Sequence, residues 1–267
     1  MNQKFTAIIL AKGAPNRTST GLISMCAIAL SEDIGLVRLY PLTFDDNADV
    51  SVWSVVSVEA RRSSKDNRKE SWRIESTELI GKIQTATEKS SILNACVLKS
   101  GMEDPISFQN KNRASIAVVK TELPIGCGLK PRKDQEPQLE EDDSWCMMQS
   151  NYPFKPYLLW TSTQGGEHGT HIVAQEVYYG MSKNPSSPFR VFENMRIGDD
   201  DYQHWLVLGN MKDRRNVWVC PHVHRLKKSN IENVLGFSGS FGLDKNWPYL
   251  TQEAINEKDP GLQLTLF

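Results

Sequence analysis

The hydrophobic positions of the first sixty residues fall in short runs separated by polar turns. Phe5 to Lys12 (FTAIILAK) and Ser24 to Leu30 (SMCAIAL) are compact apolar runs. Gly35 to Leu42 (GLVRLYPL) alternates, with Leu36, Arg38 and Tyr40 on one face and Val37 and Leu39 on the other. Val50 to Ala60 (VSVWSVVSVEA) is rich in valine, with Trp53 at its centre. Period-two alternation and β-branched residues predict strands. Gly13–Asn16, Ser31–Asp33 and Asp45–Asn47 carry the residues that close turns. Four strands with short connections and no helix between them predict an antiparallel meander or small barrel, not a doubly wound sheet. Ser71 to Ile74 (SWRI) adds a fifth strand.

The pattern then changes. Leu79, Ile80 and Ile83, followed by Ile92, Leu93, Cys96 and Val97, predict a pair of short helices over 75–99. Ala114 to Lys120 returns to strand. Lys130 to Asp143 (KPRKDQEPQLEEDD) is the most polar stretch and reads as a linker or long surface loop. Beyond it, Pro156–Thr163 predicts a strand and His171–Ser182 a helix. Gln203–Leu208 and Asn216–Val223 predict a hairpin. The expected fold is mainly β (α+β): two small antiparallel β barrels with short helices. They occupy residues 1–130 and 145–250, with a flexible tail over 251–267.

Composition narrows the class without naming a partner. At 267 residues and 39% hydrophobic, the chain can build a sizeable core. Its 31 basic and 32 acidic residues nearly cancel, so only their distribution can point to nucleic acid. Five cysteines without a CxxC pair, behind an apolar start too short for a signal or a membrane span, predict reduced thiols in a cytoplasm.

Two basic stretches carry the first candidate chemistry. Arg61, Arg62, Lys65, Arg68 and Lys69 place five cations in nine residues directly after the valine-rich strand, with Trp72 just beyond. Lys212, Arg214 and Arg215 occupy the turn of the later hairpin. Loops on a β scaffold are where barrels hold nucleic acid, cations contact phosphates and aromatics stack on bases. The competing reading is two solvated turns. A Cys220-x-His222-x-His224 face, helped by His168 or His171, offers zinc-ligand types without a familiar zinc spacing. No phosphate loop, nucleophile elbow or strand-borne carboxylate–lysine set is present. No catalytic residue, metal or cofactor is therefore assigned, and a metal-dependent nuclease stands as the enzymatic alternative. A protein-interaction subunit without nucleic-acid binding is the other.

The chain given ends on Gln263-Leu264-Thr265-Leu266-Phe267, behind a polar stretch and the helix-stopping Pro260-Gly261. Leu264, Leu266 and Phe267 suit an apolar pocket, and the Gln263 amide suits an orienting hydrogen bond. The five residues resemble the short motif by which bacterial DNA polymerases and mismatch-repair proteins bind the sliding clamp. Gly35–Phe44, Trp53 with Val55–Val58, and Asp66-x-Arg68-x-Glu70-Ser71-Trp72 resemble the opening of a group of bacterial proteins described as carrying a dual OB-fold domain. Glu167–Tyr179 and Trp205–Trp218 are similar to its later part. The resemblance implies two OB-like barrels and supplies no catalytic residues. Together these features imply a cytoplasmic, DNA-associated accessory protein of genome maintenance or anti-phage defence, without a membrane anchor. It would dock on the DNA polymerase III sliding clamp (β subunit) through Gln263, Leu264, Leu266 and Phe267, alongside other subunits encoded nearby.

Overall fold

A computed structural model describes residues 2–17, 21–43, 49–98, 103–121, 126–131, 154–162, 166–184 and 186–232. The clamp-like peptide with Gln263, Leu264, Leu266 and Phe267 lies outside the described residues, as does most of the polar stretch 130–143.

The first sheet holds β1 (Gln3–Lys12), β2 (Asn16–Arg17), β3 (Ile23–Ser31), β4 (Gly35–Thr43), β5 (Ser54–Arg62) and β6 (Ser71–Lys82). Its order is β1-β5-β6-β4-β3-β2, and an additional β1–β3 pairing closes five of these strands into a barrel. Every pairing is antiparallel except β4 with β6. This is a closed barrel of the OB type. The second sheet holds β7 (Ile116–Thr121), β8 (Gly126–Pro131), β9 (Phe154–Thr161), β10 (Glu167–Ile172), β11 (Tyr202–Asn210) and β12 (Trp218–Lys227). Its order, β7-β11-β12-β10-β9-β8, repeats the first, with β7 and β8 sharing the place of β1 and with β10–β12 as its one parallel pair. The division between the sheets therefore falls ahead of residue 116. The polar stretch after Lys130 connects β8 to β9 within one sheet instead of separating two domains.

Among the described residues, α1 (Ala86–Cys96), α2 (Pro105–Lys111), α3 (Gln175–Lys183) and α4 (Arg190–Asn194) lie in connections between strands, and α5 (Lys228–Glu232) follows β12. Thr85 and Glu88 form a reciprocal capping box that starts α1, and Asp104 caps α2 ahead of Pro105. The helix pair expected over 75–99 is a strand followed by one helix, because β6 runs on to Lys82 against β5. The helix expected from His171 begins only at Gln175, since residues 167–171 pair with β9 and His171 and Ile172 with β12.

The core explains the dense apolar runs. Phe5, Ala7 and Ile9 of β1 point into the first barrel, while Ile8 and Leu10 point out into a layer shared with the second sheet. β7 and β11 behave alike: Ala117, Val119, Leu206 and Leu208 face the second core, and Ile116, Val118, Trp205 and Val207 face the shared layer. Strands buried on both faces lose the alternation that marks a half-exposed one. Trp53 lies outside β5, in the left-handed region at φ 74°, and its ring joins the shared layer 4.6 Å from the His224 ring. The backbone N–H of Trp53 donates to Ile9 O at 2.7 Å, which fixes that departure from strand geometry.

Leu10 is fully buried in the shared layer. Leu10→Ala is expected to cost about 2–5 kcal/mol and to lower the urea midpoint of one cooperative transition. Two separate transitions in the wild-type chain would contradict a layer held in common.

Candidate functional site

The loop between β5 and β6 and the turn between β11 and β12 are the same connection made twice, once in each sheet. The fold brings them together. Arg68 Nη1 donates to Asn210 O at 2.6 Å, and Arg215 Nη2 donates to Asn67 Oδ1. The two basic stretches, some 140 residues apart in the chain, thus meet at one seam.

A polar fastening holds that seam. The Asp66 carboxylate accepts from Arg68 Nη2 at 2.5 Å, Arg68 Nε at 3.0 Å and Ser71 Oγ at 2.9 Å. Burial pushes the Asp66 carboxyl upward, but the hydrogen bonds from Arg68 and Ser71 and the Arg68 charge outweigh it and hold the group at about 2. Beside it, Glu70 accepts from Ser115 N at 3.1 Å and Ser115 Oγ at 2.8 Å. The buried Arg38 donates from Nη2 to Ser115 O at 2.9 Å. Gly209 makes room for it: a Cβ there would lie 2.9 Å from Arg38 Nη2. The Asp66-x-Arg68-x-Glu70-Ser71 segment is therefore a bridge between the barrel and the second sheet, and Arg68 serves it with most of its donors.

Around the bridge lies a cleft of about 610 Å³. Cys26, Arg38 and Tyr40 of β3 and β4 form one wall. The loop from Arg61 to Ser71 forms another, Trp72 and Arg73 contribute the start of β6, and Lys212 reaches in from the second sheet. Among the described residues seven cations line it (Arg38, Arg61, Arg62, Lys65, Arg68, Arg73 and Lys212) against the single carboxylate of Asp66, already paired. Arg61 Nε lies 2.6 Å from Glu75 Oε1, on an exposed rim, and Arg73 stands 4.0 Å from the same carboxylate. Lys65 and Lys212 are exposed and have no ion pair among the described residues. Lys69 and Arg215 sit on the far side of the loop, and exposed Arg214 turns back on Met211 Sδ at 3.5 Å.

Trp72 departs from its expected role as a stacking platform. It is 5% exposed, packs edge-on against Phe5 at 5.3 Å within the first core, and is covered by the Arg62 guanidinium 4.1 Å above its ring. The accessible aromatic of the cleft is Tyr40, 46% exposed. The sequence alone does not single it out as a site residue, although its alternation with Arg38 along β4 places the two side chains on one face.

The histidines do not converge. His168 Nε2 lies 2.7 Å from Asp104 Oδ2, His171 Nε2 lies 2.8 Å from the Tyr178 hydroxyl, and His222 Nδ1 lies 2.6 Å from Glu176 Oε1. Burial, then the neighbouring His222, keeps His224 well below the ordinary histidine range. A bulge separates Cys220 from the histidine pair: Val207 opposes His222 but Gly209 opposes Val219, so β12 carries one extra residue. Cys220 consequently faces the second core, where burial raises its thiol, while His222 and His224 stay ring to ring at 4.3 Å. Among the described residues no three His, Cys, Asp or Glu side chains are grouped to hold a metal. Nor is any described helix long and apolar enough to cross a membrane.

A family described as a domain of unknown function, DUF8758, matches residues 3–96, the first barrel and α1. No curated protein matches. Solved structures with similarity include the tetrameric p202 HIN2, 7% identical with a TM-score of 0.28, covering 85% of this chain and 95% of that one. Another is a murine DNA binding protein bound with double-stranded DNA, 10% identical with a TM-score of 0.26, covering 84% and 96%. Likeness at this level carries no functional argument.

Because the Asp66 carboxyl is held below its ordinary value, its stabilisation is complete above about pH 4 and is lost as pH falls toward about 2. Asp66→Asn is expected to lower the urea midpoint at pH 7 and to flatten its decline between those pH values. A variant whose acid decline matches wild type would contradict the bridge.

Proposed function

We propose that this chain is a DNA-associated accessory protein of genome maintenance or anti-phage defence. In this reading it holds DNA in the cleft between the two basic loops and is brought to replicating or repaired DNA by docking on the bacterial sliding clamp. The observation that carries the DNA part is the convergence of both basic connections on one concave surface with seven cations and one neutralised acid. OB barrels hold oligonucleotides on the face of their second and third strands and on the loop between the fourth and fifth. The cleft occupies that place on the first barrel: β3, β4 and the β5–β6 loop. Lys65 and Lys212 are the cations free to meet phosphates, Arg61 and Arg73 reach them from the rim, and Tyr40 offers a ring to a base.

The clamp part rests on Gln263, Leu264, Leu266 and Phe267 and on the resemblance of that peptide to clamp-binding motifs. Tethering to a ring already on DNA raises the local concentration of DNA, so weak contacts in the cleft suffice.

Affinity for a single-stranded oligonucleotide is expected to fall with salt at a log–log slope of about −2 to −4, from about 0.7 counterion released per phosphate contact. Lys65→Glu with Lys212→Glu is expected to weaken binding at least tenfold and to reduce that slope by about 1–2 units. Unchanged affinity and slope in the double variant would remove the cleft from the account. Removal of residues 263–267 is expected to abolish recovery on immobilised clamp while leaving oligonucleotide affinity intact. Equal recovery with and without the peptide would overturn the docking.

A further inference from the structure

A second concavity, of about 640 Å³, lies on the other side of the same loop. Side chains alternate along the loop: Asp66 and Arg68 line the first cleft, and Asn67 and Lys69 line the second. The β11–β12 turn divides in the same way, with Lys212 on the first side and Arg215 on the second. The far wall of the second concavity is the end of α2 and the lead into β7: Asn110, Asn112, Arg113 and Ala114.

The chemistry of this wall is specific. Lys69, Arg113 and Arg215 line it, and among the described residues no carboxylate does. Arg113 sits in the left-handed region at φ 54°, and its N–H donates to Asn110 O at 3.1 Å, so a tight turn presents its exposed side chain. Asn110 Oδ1 accepts from Trp218 Nε1 at 2.9 Å, which leaves the Asn110 NH₂ without a protein partner among the described residues. Asn112 Nδ2 donates to Phe108 O at 2.8 Å, which leaves the Asn112 carbonyl oxygen in the same condition. Cations for phosphates next to one amide donor and one amide acceptor are what a nucleotide with an unstacked base requires.

Resting on the reading of the first cleft as a DNA site, we propose that the bound strand crosses the loop at Asn67–Lys69 and continues into this second concavity. There Lys69, Arg113 and Arg215 take phosphates, and Asn110 and Asn112 meet the edge of a base. The ligand class follows from the shape. The loop is a partition with one concavity on each side, and a single strand bends over such a partition within a few nucleotides. A duplex is stiff over about 150 base pairs, so the path selects single-stranded DNA.

The test compares single-stranded oligonucleotides of about 5 and about 15 nucleotides, the span of site sizes for one OB barrel, by fluorescence anisotropy on the full chain. Wild type is expected to bind the longer one at least tenfold more tightly. Arg113→Glu is expected to cut affinity for the longer one about five- to tenfold and leave the shorter one unchanged. Lys69→Glu, on the opposite wall, is expected to give the same split, and thermal melts report whether either variant is folded. If the longer oligonucleotide keeps its advantage in both variants, or both lengths weaken equally, this inference is overturned while the first cleft stands. If wild type binds neither length, the reading of the first cleft falls, and this path with it.

Discussion

The Arg68 guanidinium is the contact on which the arrangement of the barrel and the second sheet turns. It is gripped by Asp66 within its own loop and reaches across to the Asn210 carbonyl in the opposite sheet. A partly buried charge is stable only when its partners are complete, and leaving one unmatched costs roughly 1–3 kcal/mol or more. Glu70 and Arg38 add three hydrogen bonds to Ser115, so the loop is tied to the second sheet at two separate points. The consequence is electrostatic as well as mechanical. By consuming the one carboxylate that lines the cleft among the described residues, the bridge leaves Lys65 and Lys212 without an ion pair there. By fixing the seam, it sets Lys212 of one sheet beside Lys65 of the other.

The bridge works because an apolar layer already brings the sheets into register. Ile8, Leu10, Ile28 and Leu30 from the first barrel meet Val118, Trp205 and Val207 from the second, with Leu93 of α1 packed among them. That layer supplies the bulk of the adhesion without direction, since burial of apolar area is insensitive to orientation. Hydrogen bonds at Ser115 and Asn210 add the direction. The one-residue bulge in β12 shows the same division of labour at smaller scale: it sends Cys220 into the second core and leaves His224 against Trp53 in the shared layer.

The strands were legible wherever one barrel's interior dictated an apolar run, as in Phe5–Lys12 and Ser24–Leu30. The two basic stretches were legible as connections between strands. Other features were hidden for physical reasons. β6 runs to Lys82 with Leu79 and Ile80 exposed, so its second half lacks the buried alternation of a strand and mimics a helical spacing. The start of α1 had a readable signature in Thr85-x-x-Glu88, which the spacing of Leu79, Ile80 and Ile83 obscured. The split of the sheet's first strand into β7 and β8 depends on pairing with the distant strands β9 and β11, information that no local pattern holds. Trp72 looked like a base-stacking residue because it follows the cations, yet its strand position points it into the core against Phe5. Arg68 looked like a phosphate ligand for the same reason, and only the distant Asn210 reveals its partner.

One joint surface is thus formed by two loops, one from the barrel and one from the second sheet. Hydrogen exchange measured with and without a single-stranded oligonucleotide tests that joining directly. The account predicts slowed exchange in residues 61–73 and 210–218 together, with the same dependence on oligonucleotide concentration. Protection confined to one of the two segments, or absent from both while the oligonucleotide is bound, would contradict it.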